Sequence, residues 1–291
     1  MANLKEVRIR ITSVSSTQQI TKAMKMVSAA KLRRAQDAVV QMRPYASKLK
    51  EILQNLSQSL SSSDGGPFTK VRTENKILII PVCSNRGLAG AFNSTVIKAT
   101  SQLIRNTYAK QAKEGNVKVL AIGRKAGDYF AKIPQYYLGN ENQLYSNLNF
   151  LNTSVIAERV MKEFSEEKWD KVIVVYNQFK NAAVQILQTE QLLPIVPPAS
   201  AEKKVVDYIL EPSPEEIVQT LIPASVKTQL YKAVLDSHAS EHGARMTAMN
   251  KATDNAGELI KALKLQYNKA RQAAITNEIL EIVAGAEALK G

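Results

Sequence analysis

Apolar residues near the start of the chain fall at Leu4, Val7, Ile11 and Val14. Steps of three and four lay one narrow stripe along a helix, the spacing of a coiled-coil seam. The stripe resumes as Met24, Val27, Leu32, Ala35, Val39, Met42, Leu49, Leu53, Leu56 and Leu60, after a polar break at Ser15-Ser16-Thr17-Gln18-Gln19 where it changes phase. Residues 1–60 hold one proline, Pro44, and no glycine, so they predict one helix roughly 85 Å long at a rise of about 1.5 Å per residue. Ser61-Ser62-Ser63-Asp64-Gly65-Gly66-Pro67 ends it.

The pattern then changes. Lys76–Val82, Val117–Ile122 and Lys171–Tyr176 are apolar runs with little alternation, as expected of strands covered on both faces in a parallel sheet. Helical stretches at Ser94–Lys113, Lys125–Lys132 and Ser154–Glu167 separate them, and Ala183–Leu187 reads as an added edge strand. Strand alternating with helix predicts a small doubly wound α/β domain, with Pro194, Pro197 and Pro198 marking its exit.

A second long stripe runs through Leu230, Val234, Met246, Met249, Leu259, Leu263, Tyr267, Ile275, Ile279 and Ile282. No proline interrupts it, and Pro223 is expected in its first turn, where a missing N–H is harmless. A helix on the order of 100 Å cannot bury its whole stripe against a domain of this size. The expected architecture is therefore α/β: a mainly parallel, doubly wound domain over residues 75–210, flanked by helices over 1–60 and 213–289. The two helices pair as an antiparallel coiled coil, and the last turns of the longer one stand alone.

Composition adds charge to this outline. The formal net charge is +13, and residues 1–58 carry Lys5, Arg8, Arg10, Lys22, Lys25, Lys31, Arg33, Arg34, Arg43, Lys48 and Lys50 against Glu6, Asp37 and Glu51. The net charge points to an acidic partner: nucleic acid, an anionic membrane face or an acidic protein surface. A solvated helix usually mixes its signs, so the one-signed bias places that neighbour at the first helix. The first helix has no stacking aromatics and no nucleic-acid reading motif, which weighs against nucleic acid.

Candidate chemistry is sparse. Cys83 is the single cysteine, embedded in apolar sequence, so it reads as a buried, inert thiol with no disulfide or cysteine cluster available to it. His238 and His242 stand at i, i+4 without a third ligand nearby in sequence, and both fall on the long helix, away from any expected cleft. Ser84-Asn85-Arg86-Gly87-Leu88-Ala89-Gly90 has two glycines but neither a dinucleotide nor a P-loop spacing, so it reads as a tight strand-to-helix turn. No catalytic residue, cofactor site or metal site is expected. The start, Met1-Ala-Asn-Leu-Lys-Glu, does not look like a signal peptide, and no apolar run is long enough to span a bilayer. A bacterial cytoplasmic setting follows as the expectation.

Specific motifs lie near both ends. Ile275-Thr276-Asn277-Glu278, Glu281, Gly285, Ala286 and Ala288 form one. Thr17-Gln18-Gln19-Ile20-Thr21-Lys22-Ala23-Met24-Lys25-Met26-Val27, with Arg43-Pro44-Tyr45, forms another. Together with Ser84-Asn85-Arg86-Gly87-Leu88 and Ala252-Thr253-Asp254-Asn255-Ala256, the chain resembles, over its whole length, the gamma subunits of F-type ATP synthases.

That resemblance implies a central rotor shaft without catalysis of its own, its helices turning inside an alpha3beta3 hexamer and its domain resting with an epsilon subunit on the c-subunit ring. It implies beta-subunit contacts at Met24 and Lys25 (lever loop) and at Arg271, Gln272 and Thr276 (catch loop). Glu278 and Glu281 would organise the shaft, and Tyr208 and Glu211 would form the foot on the c ring. Leu210 departs from the tyrosine common in relatives, and Lys25 from the acid that some carry. No cysteine-bearing insertion of the chloroplast type occurs between Pro194 and Pro212, so thiol regulation is not expected. The implied placement is peripheral, on the cytoplasmic face of a bacterial inner membrane, without nucleic acid and without a membrane span.

Overall fold

The computed structural model describes residues 4–59, 67–195 and 214–288. In chain order the elements are α1 (Leu4–Ser59), β1 (Ile77–Pro81), α2 (Phe92–Gln102), a π-helical turn (Leu103–Thr107), α3 (Ala109–Lys113), β2 (Val117–Ala121) and α4 (Arg124–Phe130). Then come β3 (Tyr137–Asn140), a 3-10 turn (Asn142–Ser146), α5 (Phe150–Ser165), β4 (Lys171–Phe179), β5 (Gln185–Leu193) and α6 (Pro214–Ala288). The chain divides into two compact bodies, residues 29–245 and the remaining ends of α1 and α6.

The larger body is built on one five-stranded sheet of order β3-β2-β1-β4-β5, parallel except for β5, which runs antiparallel to β4. Alternate residues of each strand face opposite layers, as the pleat requires. Ile77, Ile79, Val117, Val119, Ile173 and Val175 join Val96, Ile104, Tyr108 and Phe130 in one core. Leu78, Ile80, Val82, Leu120, Val172, Val174 and Tyr176 join α5 (Ile156, Val160, Phe164) and α6 (Val226, Leu230, Val234) in the other. Because both faces are covered, β1, β2 and β4 read as unbroken apolar runs. Asn149 caps α5 by accepting from Asn152 N at 2.8 Å.

Three features differ from the sequence expectation. The strand β3 and the following 3-10 turn lie in a stretch too short and too polar to show a period. The edge strand begins at Gln185 and continues to Leu193, six residues past Leu187, where the expected strand ended. Pro214, rather than Pro223, takes the helix start, so Pro223 lies inside α6.

In the smaller body the ends of α1 and α6 run antiparallel. Arg8 donates to the Tyr267 hydroxyl at 2.7 Å, Gln18 to the Thr253 carbonyl at 3.4 Å, and Lys25 to Asn250 Oδ1 at 2.5 Å. Partner numbers fall along α6 as they rise along α1. Val7, Thr21, Ser28, Met249, Ala256 and Leu263 are buried along this seam. The polar break in the α1 stripe does not interrupt the helix, because Gln18 and Thr21 spend their polarity on α6, Thr21 receiving the Thr253 hydroxyl at 2.8 Å.

Candidate functional site

In an open doubly wound sheet, ligands bind outside the carboxyl ends of the strands where the winding direction reverses. Here that crevice lies between β1 and β4, since β2 and β3 follow on one side of β1 and β4 on the other. The chain's own α6 fills it. Ser237 donates to the Val82 carbonyl at 3.2 Å beyond β1, and Ser240 to the Asn177 carbonyl at 2.9 Å on β4. Gly243 lets the helix approach the backbone of Ala182, where a Cβ would stand 3.2 Å from both Cα and O. Small residues on this face of α6 are what a close helix-to-backbone contact needs.

The turn after β1 is equally committed. The Ser84 hydroxyl donates to the Arg86 carbonyl at 2.6 Å and the Ser84 backbone N–H to Asn93 Oδ1 at 2.9 Å, while Asn85 Oδ1 accepts from Arg124 N at 2.9 Å. Arg245 of α6 donates to the carbonyls of Arg86 and Gly87 at 3.1 and 3.3 Å, and pairs with Glu241 at 2.6 Å in a nearly dry setting. A phosphate cradle presents backbone N–H groups. This turn instead offers Arg245 two carbonyls.

The histidines are not remote from the crevice, contrary to the sequence expectation; α6 carries them into it. Tyr145 stacks on His238, and His238 Nε2 lies 3.1 Å from His242 Nε2. Burial, then the charges of Lys31 and Arg245, push His238 down to about 4. Burial, His238 itself, Arg245 and Lys31 push His242 down to about 3. The pair is thus neutral, one imidazole donating to the other. Among the described residues no third ligand joins them. Desolvation raises Glu241 despite Arg245, and holds the buried Cys83 thiol far above its ordinary range.

On the paired helices, Met24 and Lys25 are half-buried, and Lys25 is engaged with Asn250. A polar cavity of about 320 Å³ opens beside them, lined by Gln18, Gln19, Lys22, Lys25, Asn250, Thr253 and Asp254. Arg271, Gln272, Thr276, Glu278 and Glu281 are all exposed, with Thr276 donating to the Gln272 carbonyl one turn back. They lie past Tyr267, and Glu278 is not brought against α1 among the described residues. Ile275, Ile279, Ile282 and Val283 share this stretch at 47%, 55%, 71% and 51% exposure. Tyr208, Leu210 and Glu211 fall outside the described residues. Sequence reasoning assigned nothing to Asp236, Glu241 and Arg245, although charges set among Ser, Ala and Gly on a long helix signal burial against backbone.

The family model described as ATP synthase matches residues 3–289. An ATP synthase gamma chain of Christiangramia forsetii is 58% identical over the full length of both chains. Gamma chains of Flavobacterium johnsoniae and Chlorobium phaeobacteroides, again covered end to end, are 59% and 48% identical. The chain belongs to the ATP synthase gamma-chain family. The fold agrees: a chain in the cryo-EM structure of the Euglena gracilis mitochondrial ATP synthase (OSCP, F1 and c-ring) superposes with a TM-score of 0.68 at 22% identity, over 98% of this gamma chain and 94% of that one. A chain in the central stalk and c-ring structure from Tetrahymena thermophila gives 0.61 at 24% identity, over 80% and 99%. Among the described residues of this gamma chain, no helix is long and apolar enough to cross a membrane.

Proposed function

We propose that this gamma chain is the central-stalk rotor of an ATP synthase, without a catalytic site of its own. It couples ion-driven rotation of a c ring to the successive states of the beta-subunit sites, and in reverse couples ATP hydrolysis to ion pumping. The observation that carries the reading is the far end of α6, which exposes Ile275, Ile279, Ile282 and Val283 beyond Tyr267, where Arg8 of α1 is bound. An apolar helix end of this kind needs an enclosing sleeve, and family membership supports an alpha3beta3 hexamer as that sleeve. The filled crevice and the carbonyl-lined turn support the absence of a nucleotide site. Rotation favours one beta state over another only through contacts that differ between states. The candidates for these contacts are Met24 and Lys25 toward an acidic lever loop, and Arg271, Gln272 and Thr276 toward a catch loop. Glu278 and Glu281 sit beside the latter, exposed and able to meet the sleeve. Tyr208 and Glu211 belong to the foot on the c ring, with epsilon beside it. The complex then holds the chain peripherally at the cytoplasmic face of the inner membrane.

Co-expression with its alpha and beta chains tests this. One copy per hexamer is expected to co-purify, and titration of the isolated chain with ATP in a calorimeter is expected to be flat. Hexamers that form and turn over with the chain left behind would overturn the proposal, as would micromolar ATP binding to the chain alone.

A further inference from the structure

We propose that Arg43 is a positioning residue that locks α1 in register with α6 and with the sheet, so that rotation entering the α/β domain reaches both helices together. The inference rests on the rotor reading above. Its observations all lie within the larger body. The Arg43 guanidinium reaches Asp236 Oδ1 of α6 at 2.8 Å and the carbonyl of Phe179, the last residue of β4, at 2.6 Å. One side chain therefore joins three elements, and Asp236 is fully buried.

The position matters as much as the bonds. Arg43 directly precedes Pro44, which lies inside α1. Proline lacks an N–H, so the helix loses a backbone bond there and becomes easiest to bend or twist. The flanking contacts of α1, Val39, Ala46, Leu49 and Leu53, are apolar, and apolar packing is non-directional. Charge-assisted bonds fix geometry. The helix α6 has its own polar fastenings to the sheet, through Ser237 and Ser240, and could follow the domain without driving α1. Burial also raises the Asp236 carboxyl above its ordinary range despite the guanidinium, so the pair is a costly way to gain stability. A directional role accounts for what stability does not.

Beyond Asp236 the polar contacts continue across the sheet. Tyr176 of β4 donates to Glu190 of β5 at 2.9 Å, and Lys232 of α6 approaches Glu190 at 3.7 Å. The joint is thus braced on its sheet side.

The test uses the whole ATP synthase in sealed vesicles. Arg43→Met/Asp236→Leu keeps apolar volume and removes the tether; Arg43→Lys keeps the charge. Thermal stability, ATP hydrolysis rate and the ion gradient sustained per ATP are measured on each. The Met/Leu pair is expected to melt at or above wild type and to hydrolyse ATP, yet to sustain less than about half the wild-type gradient per ATP. Losing a charge-assisted bond raises the population of an open joint by roughly tenfold or more. Arg43→Lys is expected to recover most of the gradient. A wild-type gradient from the Met/Leu pair overturns the clamp. Should that pair not assemble, Arg43→Gln is read in the same assay, and equality with wild type there overturns it as well. A wild-type complex that hydrolyses ATP but pumps no ions would instead defeat the rotor reading.

Discussion

Acidification should weaken the larger body through His238 and His242. Both imidazoles are held neutral in the fold, with pKa values lowered from 6.5 to about 4 and about 3. The unfolded chain binds a proton on each near pH 6.5, so stability is fully present above that pH and is lost as pH falls toward the folded values. From pH 8 to pH 5 the unfolded state gains about 2 kcal/mol per histidine, or about 4 kcal/mol for the pair. That is a large part of the 5–15 kcal/mol typical of a folded domain. Glu241 and Asp236 act in the opposite sense, because burial raises their carboxyls and the folded state takes up their protons first. The comparison must therefore be made against His238→Gln/His242→Gln, which removes only the imidazole contribution. Trp169, the single tryptophan and buried in the core under α5, reports unfolding in urea at pH 8, 7, 6 and 5. Wild type is expected to lose about 4 kcal/mol more than the double variant over this range. Parallel pH dependences would refute the reasoning, since they would mean that the imidazoles titrate alike folded and unfolded.

Three further outcomes are expected. Arg271→Ala/Gln272→Ala should leave the fold intact and slow multisite ATP turnover of the assembled hexamer, while single-site hydrolysis is spared; a normal steady-state rate rejects their role in a catch. Gly123→Ala should cost about 3 kcal/mol or more, since residue 123 sits at φ 95° and a Cβ would lie 2.0 Å from the Cys83 carbonyl oxygen; an unchanged melting temperature counts against it. Cys83, fully buried with its thiol pushed upward, should resist alkylation in native buffer and react in urea, and fast native labelling would show the crevice to be open.

The parts of this fold that sequence revealed are those where one physical requirement dominated. β1, β2 and β4 are buried on both faces, so their apolar runs stood out. The paired helices showed a seam because a narrow stripe must meet another one. By contrast, β3 is four residues long and half exposed, and β5 is an edge strand with four consecutive polar residues, Gln188–Gln191, at its centre; neither announces its limits. The histidines were misplaced for a different reason. Periodicity shows that a 75-residue helix has a buried face, but not which turns meet the domain. The signal was the run of small residues, Ser237, Ala239, Ser240 and Gly243, which permits backbone approach. The residues proposed for contacts on the exposed end of α6 come from family resemblance, because exposed polar positions on a helix carry no period that distinguishes a contact from solvent.

The filled crevice also sets the order in which this chain can fold. Ser237 closes onto Val82 across 155 residues, and Val226, Leu230 and Val234 complete a core that begins at Leu78. During synthesis the sheet and α5 emerge before α6, leaving one apolar layer only partly covered while the later residues are translated. Loop closure over such a span is slow, and exposed strand faces invite aggregation. One core of the α/β domain is therefore complete only when α6 arrives. Its folding waits for residues in the last quarter of the chain, and a ribosome that stalls before α6 leaves behind a sheet for chaperones to shield.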